Sequence, residues 1–337
     1  MPELISNLFS GEAWSMMTMT QAINTMPFVP GRIGQMGLFE AAGVATNHIQ
    51  IEEENGVLSL IPSKARGEAP TQNAHGKRKM RYLGIPHFPL ADTLMATEVQ
   101  GVRVLGGTEL QGWEAERDKR LASMAAKHDA TLEYGKLGAI KGRVLDADGV
   151  TVLYDLFAEF GVNQTTVDFL FGTTTGSGRL KKLVLGIKRT IEGALQNGVY
   201  SQIRAVCGKN WFDAFTTHPE VVDAYNLWLD GQYKRDDQRK GFEIWGVVFE
   251  EYVGAIGGTP FVADAECHFF PTGVNGLYKT WFGPGNFLES ANTIGLPRYA
   301  KSEPMKWNRG VELLTESNPI HLCTKPSVLV KGTSSTF

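Results

Sequence analysis

A thiol and an imidazole stand side by side at Cys267-His268, the residue types of a catalytic nucleophile and its base. The stretch Glu266-Cys267-His268-Phe269-Phe270 reads as a strand, and neighbouring strand residues point to opposite faces. The two therefore cannot pair directly, and both are expected to pack. Gly172-Thr173-Thr174-Thr175-Gly176-Ser177-Gly178-Arg179 has the look of a phosphate-cradling loop. Ser177 stands where the second glycine of the GxxxxGK[ST] pattern belongs, and no Lys-Ser/Thr pair follows, so it reads as a turn into a helix. His218, just before Pro219, reads as a capping or packing histidine. Glu52-Glu53-Glu54 and Glu250-Glu251 cluster carboxylates without a histidine at metal-ligand spacing. They are expected to be solvated or to form salt bridges between subunits. No catalytic, cofactor or metal site is expected from these patterns.

The 337 residues allow roughly two domains of about 150 residues, or one elaborate one. With 42% hydrophobic and 20% charged residues, the chain can build a sizeable core and is not globally disordered. Its formal charge of −3 disfavours nucleic-acid binding as its main task. Cys207, Cys267 and Cys323 are widely spaced and odd in number, which suits a reducing cytoplasm rather than a disulfide scaffold or a zinc site. Neither a signal peptide nor a membrane-spanning apolar run is read, so no membrane contact is expected.

Residues 1–47 read as an irregular arm, with Pro27, Pro30-Gly31, Gly34 and Gly37 among scattered apolar residues such as Trp14 and Phe28. Such an arm must lay those side chains on its own body or on a neighbour. His48–Glu53 alternates, Asn55-Gly56 offers a two-residue turn, and Val57–Ile61 is expected to return as the second strand of a hairpin. Residues 63–81 then carry six Lys/Arg against one Glu, a local charge of +5 in an otherwise acidic chain. Two readings stand: a solvated loop, or an extended loop that docks on an acidic surface of another subunit.

Trp113, Arg117, Leu121, Met124, Ala125, His128 and Leu132 recur at helical spacing and predict a helix over 113–132. A hairpin is expected at 140–154 around Asp148-Gly149. A second helix spans about 178–196, with Leu180, Val184, Ile187, Ile191 and Leu195 on one face and Gly198 placed to end it. Beyond residue 200 short elements alternate: a strand at 201–207, a helix capped by Asn210, a helix opened by Pro219, and strands at 242–249, 266–270, 311–315 and 320–330. The class is α+β without regular βαβ alternation.

Particular stretches carry a resemblance along almost the whole chain. They include Glu98-Val99-Gln100-Gly101-Val102-Arg103, Ala130-Thr131-Leu132-Glu133-Tyr134, Lys141-Gly142-Arg143-Val144-Leu145-Asp146, and Phe212-Asp213-Ala214 with His218-Pro219-Glu220-Val221. Phe249-Glu250-Glu251-Tyr252, Asn292-Thr293-Ile294-Gly295-Leu296-Pro297 and Glu316-Ser317-Asn318-Pro319 continue the series. In this order they resemble the phage major capsid protein E family, whose best known member is the lambda capsid protein.

The resemblance implies the Hong Kong-97 phage capsid fold. Its parts would be an N-terminal arm (1–47), an extended loop (48–90), a peripheral domain (91–200 and 296–337) with a spine helix at 113–132, and an axial domain (201–295). It implies a structural protein of the virion capsid, assembled in the host cytoplasm as hexamers and pentamers of an icosahedral shell around double-stranded DNA contacted non-specifically. Scaffolding, decoration and portal proteins are the implied partners. The expected inter-subunit contacts are Lys77, Arg78, Lys79, Arg81, Glu52, Glu53, Trp14 and Phe28. The competing readings are a nanocompartment shell of the same fold and a small α+β enzyme using Glu250-Glu251.

Overall fold

The computed structural model describes residues 15–26, 31–54, 78–100, 112–172, 178–196, 198–226, 239, 241–256 and 259–337. The longest element is a helix of 29 residues, Trp113–Lys141, which outruns the expected 113–132 by nine. It buries Leu121, Met124, Ala125, His128 and Leu132 on one face, as their spacing requires. Its second half is buried almost all round, which erases the periodicity. Gly135 and Gly138 lie in this half and serve close packing. A Cβ on Gly135 would come within 2.6 Å of the His321 ring, and one on Gly138 within 3.0 Å of the Val144 backbone. The helix stops only at Gly142, in the left-handed conformation at φ 82°.

Two three-stranded sheets flank this helix. One orders Tyr299–Pro304, Gly310–Ser317 and Phe88–Met95, all antiparallel, with Tyr299 opposite Glu316 and Leu94 opposite Val311. The other places Tyr278–Phe282 between Glu40–Gly43, parallel to it, and Pro319–Cys323, antiparallel to it.

A six-stranded mixed sheet forms the second body, in the order Thr165–Asp168, Val330–Thr333, Glu266–Thr272, Gln202–Cys207, Val247–Glu251, Phe242–Ile244. Thr165–Asp168 and Val330–Thr333 come from segments the resemblance places in the peripheral domain, yet they hydrogen-bond into this sheet. Helix Arg179–Leu195 buries the five residues its pattern picked out, Leu180, Val184, Ile187, Ile191 and Leu195. The residue that turns its end into the left-handed region is Gln196, at φ 51°, rather than Gly198. Helix Lys209–Thr217 is capped by the backbone of Gly208, which puts Asn210 inside it. Trp211, Phe215, Phe169, Phe249 and Phe269 form a fully buried aromatic core beneath the sheet, with ring centroids of Phe215 and Phe249 4.3 Å apart. The expected strand 242–249 is instead a tight hairpin, because Trp245 and Gly246 both take positive φ, 52° and 74°.

The reading of 1–47 as irregular needs correction. Within it Met16–Thr25 and Arg32–Gln35 are helices and Glu40–Gly43 is a strand. Met16–Thr25 shows little pattern because it buries only Met19, Thr20 and Ile23. Met19 and Ile23 join Leu121, Met124, Ala300, Val311 and Leu313 in a separate small core, so tertiary packing rather than propensity makes the helix. The strand His48–Glu54 pairs with Arg78–Gly84, from His48 opposite Gly84 to Glu54 opposite Arg78. Val57–Ile61, the expected return strand, lies outside the described residues. Among the described residues, no helix is long and apolar enough to cross a membrane.

Candidate functional site

The arm crosses the spine helix at two clamps. The first gathers on Glu133, a buried carboxylate in the spine helix. Its two oxygens accept the Ile33 and Gly34 amides at 2.6 and 2.9 Å, and the Tyr252 hydroxyl donates to it at 2.9 Å. Glu133 thus caps the positive start of the short helix Arg32–Gln35 with a side chain from a different element. Burial, and then the charge of Glu133, pushes the Tyr252 hydroxyl well up, so it stays a proton donor. Arg32 in turn holds Glu250 through Nε, and through Nη2 at 2.8 Å. Arg204 reaches the same carboxylate at 3.4 Å. One turn of the arm therefore ties the spine helix to the six-stranded sheet.

The second clamp is the ion pair of Arg298 with Asp129, both side chains only 4% exposed. Arg298 also donates to the Ile23 carbonyl at 2.8 Å, and Asn24 donates back to the Arg298 carbonyl at 2.8 Å. Beside it, the Thr20 hydroxyl accepts the Ala300 amide at 3.1 Å. These bonds fix the arm helix to the edge strand Tyr299–Pro304. Between the arm helix and the segment 289–297 that precedes this strand runs an open groove of about 940 Å³, walled in part by Met16, Met17, Ile294 and Leu296. Met17 and Ile294 are 85% and 69% exposed.

Among the described residues, the paired strands His48–Glu54 and Arg78–Gly84 are fastened near their His48–Gly84 end. Ile49 and Leu83 are buried in the main core, while Met80 and Tyr82 face out. Arg81, expected at a subunit contact, lies over the Phe160 ring at 5.3 Å and donates to the Phe160 carbonyl at 3.3 Å in its own chain. Glu52, Glu53, Arg78 and Lys79 occupy the paired strands, with Glu53 opposite Lys79 in register. Lys77, Trp14 and Phe28 lie outside the described residues.

Among the described residues, the chemistry-bearing side chains are scattered rather than gathered. Cys267 and His268 do face opposite ways: the thiol lies beside Cys207 and the imidazole Nε2 lies 3.4 Å from Glu266. That carboxyl, held by His268 and by Lys331, is pushed down to about 2. His218 accepts the Glu220 amide at its Nδ1, a packing and capping role. Glu250 is spent on the two arginines. Residues 173–177 of the glycine-rich loop lie outside the described residues, and Arg179 donates to the Phe169 and Leu170 carbonyls. Sequence reasoning missed both clamps. Glu133 and Arg298 sit in no motif of chemistry, and their partners lie about 100 or more residues away.

Two buried histidines make the packing around the spine helix sensitive to acid. Burial first, and the charge of Arg298 second, pushes His128 down to about 4. Burial, then Lys136, pushes His321 down to about 3. Both are neutral in the folded chain, whereas unfolding frees them to take a proton below about 6.5. Stability is therefore complete above pH 6.5 and falls as the pH drops toward 4, by about 1.4 kcal/mol per pH unit for each histidine. Denaturant unfolding of dissociated chains between pH 7 and 4 measures this, and His128→Gln is expected to shallow the slope. A flat profile would refute it.

Comparison with known proteins agrees with this architecture. The family described as phage major capsid protein E matches residues 15–334. The chain is 28% identical over 334 residues to the major capsid protein of Pseudomonas phage KPP10, covering 93% of this chain and 95% of that one. It is 25% identical over 349 residues to the major capsid protein of Salmonella phage Felix O1, covering 93% and 94%. Among solved structures, the putative capsid protein of an Escherichia coli CFT073 prophage superposes with a TM-score of 0.57 at 12% identity, over 95% of this chain and 99% of that one. The mature capsid of bacteriophage PhiM1 superposes with a TM-score of 0.50 at 12% identity, over 89% and 86%. These likenesses give the fold as that of phage capsid proteins, and family membership is what sets the enzyme reading of Glu250-Glu251 aside. With a match that takes in nearly all of its length, the chain belongs to the phage major capsid protein E family.

Proposed function

We propose that this phage major capsid protein assembles as hexamers and pentamers into an icosahedral shell around double-stranded DNA, and that its extended loop completes its fold on a neighbouring subunit. The observation that carries this reading is the sheet of His48–Glu54 with Arg78–Gly84. It has two strands, pairs with no third strand among the described residues, and leaves Met80 and Tyr82 57% and 62% exposed. A two-stranded ribbon is marginal on its own in water, so a neighbour's surface supplies what it lacks. Lys77, Arg78, Lys79, Glu52, Glu53, Trp14 and Phe28 remain the proposed contacts. Arg81 is better assigned to anchoring the loop on Phe160.

The arm, by contrast, supports a reading in which its described part stays with its own subunit, and the groove beside Met17 and Ile294 accepts a second copy. The axial domain is proposed to be the six-stranded sheet with its helices, including 165–195 and 326–333. The peripheral domain is the spine helix with the two three-stranded sheets. Scaffolding, decoration and portal proteins are the further partners proposed, with assembly in the host cytoplasm. A net charge of −3 suits a wall that contacts packaged DNA without gripping it.

Electron microscopy of the expressed chain, with and without its candidate scaffold, tests this. Closed uniform shells or rings are expected, and a monodisperse monomer or dimer under every condition would overturn the reading. Deleting residues 63–77, which spares the paired strand, is expected to leave a soluble chain that forms no closed shells. Particles of normal size from that deletion would remove the loop from the assembly mechanism.

A further inference from the structure

Cys207 and Cys267 are 60 positions apart in sequence yet face each other on adjacent antiparallel strands in the interior of the six-stranded sheet. Their sulfurs are 3.0 Å apart, and neither residue has exposed surface. The Gly208 amide donates to the Glu266 carbonyl at 2.8 Å, which marks the adjoining register pair as the hydrogen-bonded one. The cysteines therefore hold the non-hydrogen-bonded position, where facing Cα atoms approach to about 4.5 Å. That distance falls within the span of about 4.4–6.8 Å that a disulfide bridges. Closing the bond asks the sulfurs to move about 1 Å nearer, within reach of a side-chain torsion. Cys323 lies in a different sheet, opposite Tyr278.

We propose that Cys207 and Cys267 form an intrachain cross-linking site, held as two thiols while the chain assembles in a reducing cell and closed by peroxide once the particle is outside. Reducing compartments keep thiols free, whereas particles in the extracellular medium meet oxidants. One cysteine sulfur attacks an oxygen of hydrogen peroxide, the O–O bond breaks, and the first water leaves as a sulfenic acid forms. The second sulfur attacks the sulfenic sulfur, its S–O bond breaks, the S–S bond forms, and a second water leaves. Two thiols are oxidised, one peroxide is reduced, and both thiol protons depart in water. Burial, and then the neighbouring Cys207, pushes the Cys267 thiol well up. Thiolate is therefore scarce, and closure waits on local opening of the sheet. The bond would close a loop that holds helices Lys209–Thr217 and Pro219–Asn226 and strand Val247–Glu251. Constraining that loop in the unfolded chain raises resistance to heat.

Intact particles are treated with millimolar hydrogen peroxide, then denatured, alkylated and mapped by mass spectrometry. Untreated particles from freshly lysed cells are expected to show three alkylated cysteines per chain. Treated particles are expected to show one, Cys323, with the peptides of Cys207 and Cys267 joined until dithiothreitol is added. The denaturation midpoint should rise on oxidation in the native sequence and stay unchanged in Cys207→Ser. Three alkylated cysteines after peroxide, a link that includes Cys323, or sulfinic acid at either position without a link would overturn the proposal. If Cys207→Ser fails to assemble, the peptide map of the native sequence decides alone.

Discussion

Replacing Arg298 by alanine is expected to destabilise the folded chain by about 3–5 kcal/mol, a large part of the roughly 5–15 kcal/mol that holds a domain together. The guanidinium and the Asp129 carboxylate are each 4% exposed, so removing one takes away the direct ion pair that offsets the burial of the other. The Ile23 carbonyl loses its donor in the same step, which loosens the last turn of the arm helix. Packing of Met19 and Ile23 against Leu121 and Met124 depends on that helix staying in place. The arm is therefore expected to be cut faster by protease, while helix Arg179–Leu195, in the other body, keeps its protection. Replacing both partners with apolar residues, Arg298→Met with Asp129→Leu, is expected to recover most of the loss, because no bare charge remains. Denaturant unfolding of dissociated chains measures all three. A loss under about 1 kcal/mol for Arg298→Ala would show that the pair is solvated or replaceable.

The second large effect is expected at Glu133. Alanine there strands three donors at once: the Ile33 and Gly34 amides and the Tyr252 hydroxyl. Each unpaired buried donor costs about 1–3 kcal/mol, and a total of about 3–5 kcal/mol allows for partial relaxation. Glu133→Gln keeps one accepting oxygen but turns an NH2 group toward donors, so it should fall between alanine and the native residue. Hydrogen exchange distinguishes a local from a global effect. The Ile33 and Gly34 amides should lose protection first, because Glu133 is their acceptor. Unchanged exchange at those two amides in Glu133→Ala would mean that the clamp contributes nothing. Gly31 makes the same point from the other side, since a Cβ there would overlap the Glu133 carboxyl. Gly31→Ala should therefore reproduce part of the Glu133→Ala loss.

Several elements were legible in the chain itself, and the reasons are specific. Helix Arg179–Leu195 could be read nearly to the residue because it buries one face and leaves the other wet, so its composition alternates with the helical period. The capsid family was legible as well, because its motifs recur in order over most of the chain. The second half of the spine helix was not. Buried all round, it has no period, and its two glycines answer to His321 and Val144 rather than to the helix. The arm helix was hidden for the opposite reason: a ten-residue helix that buries three side chains leaves almost no pattern.

What the sequence by itself determined is the kind of molecule: an α+β capsid subunit with a basic stretch at 63–81 and a long central helix. Only the tertiary structure decided which distant residues meet. Asn55-Gly56 is a strong local turn signal, yet His48–Glu54 pairs with Arg78–Gly84 beyond it. Glu133 and Arg298 gain their roles from an arm that lies far away along the chain, and Cys207 meets Cys267 across 60 residues. Local signals report preferences of about 1 kcal/mol or less per residue. Burying a strand pair, a capped helix turn or an ion pair involves several times that, and those energies arise only when separated segments close the same core.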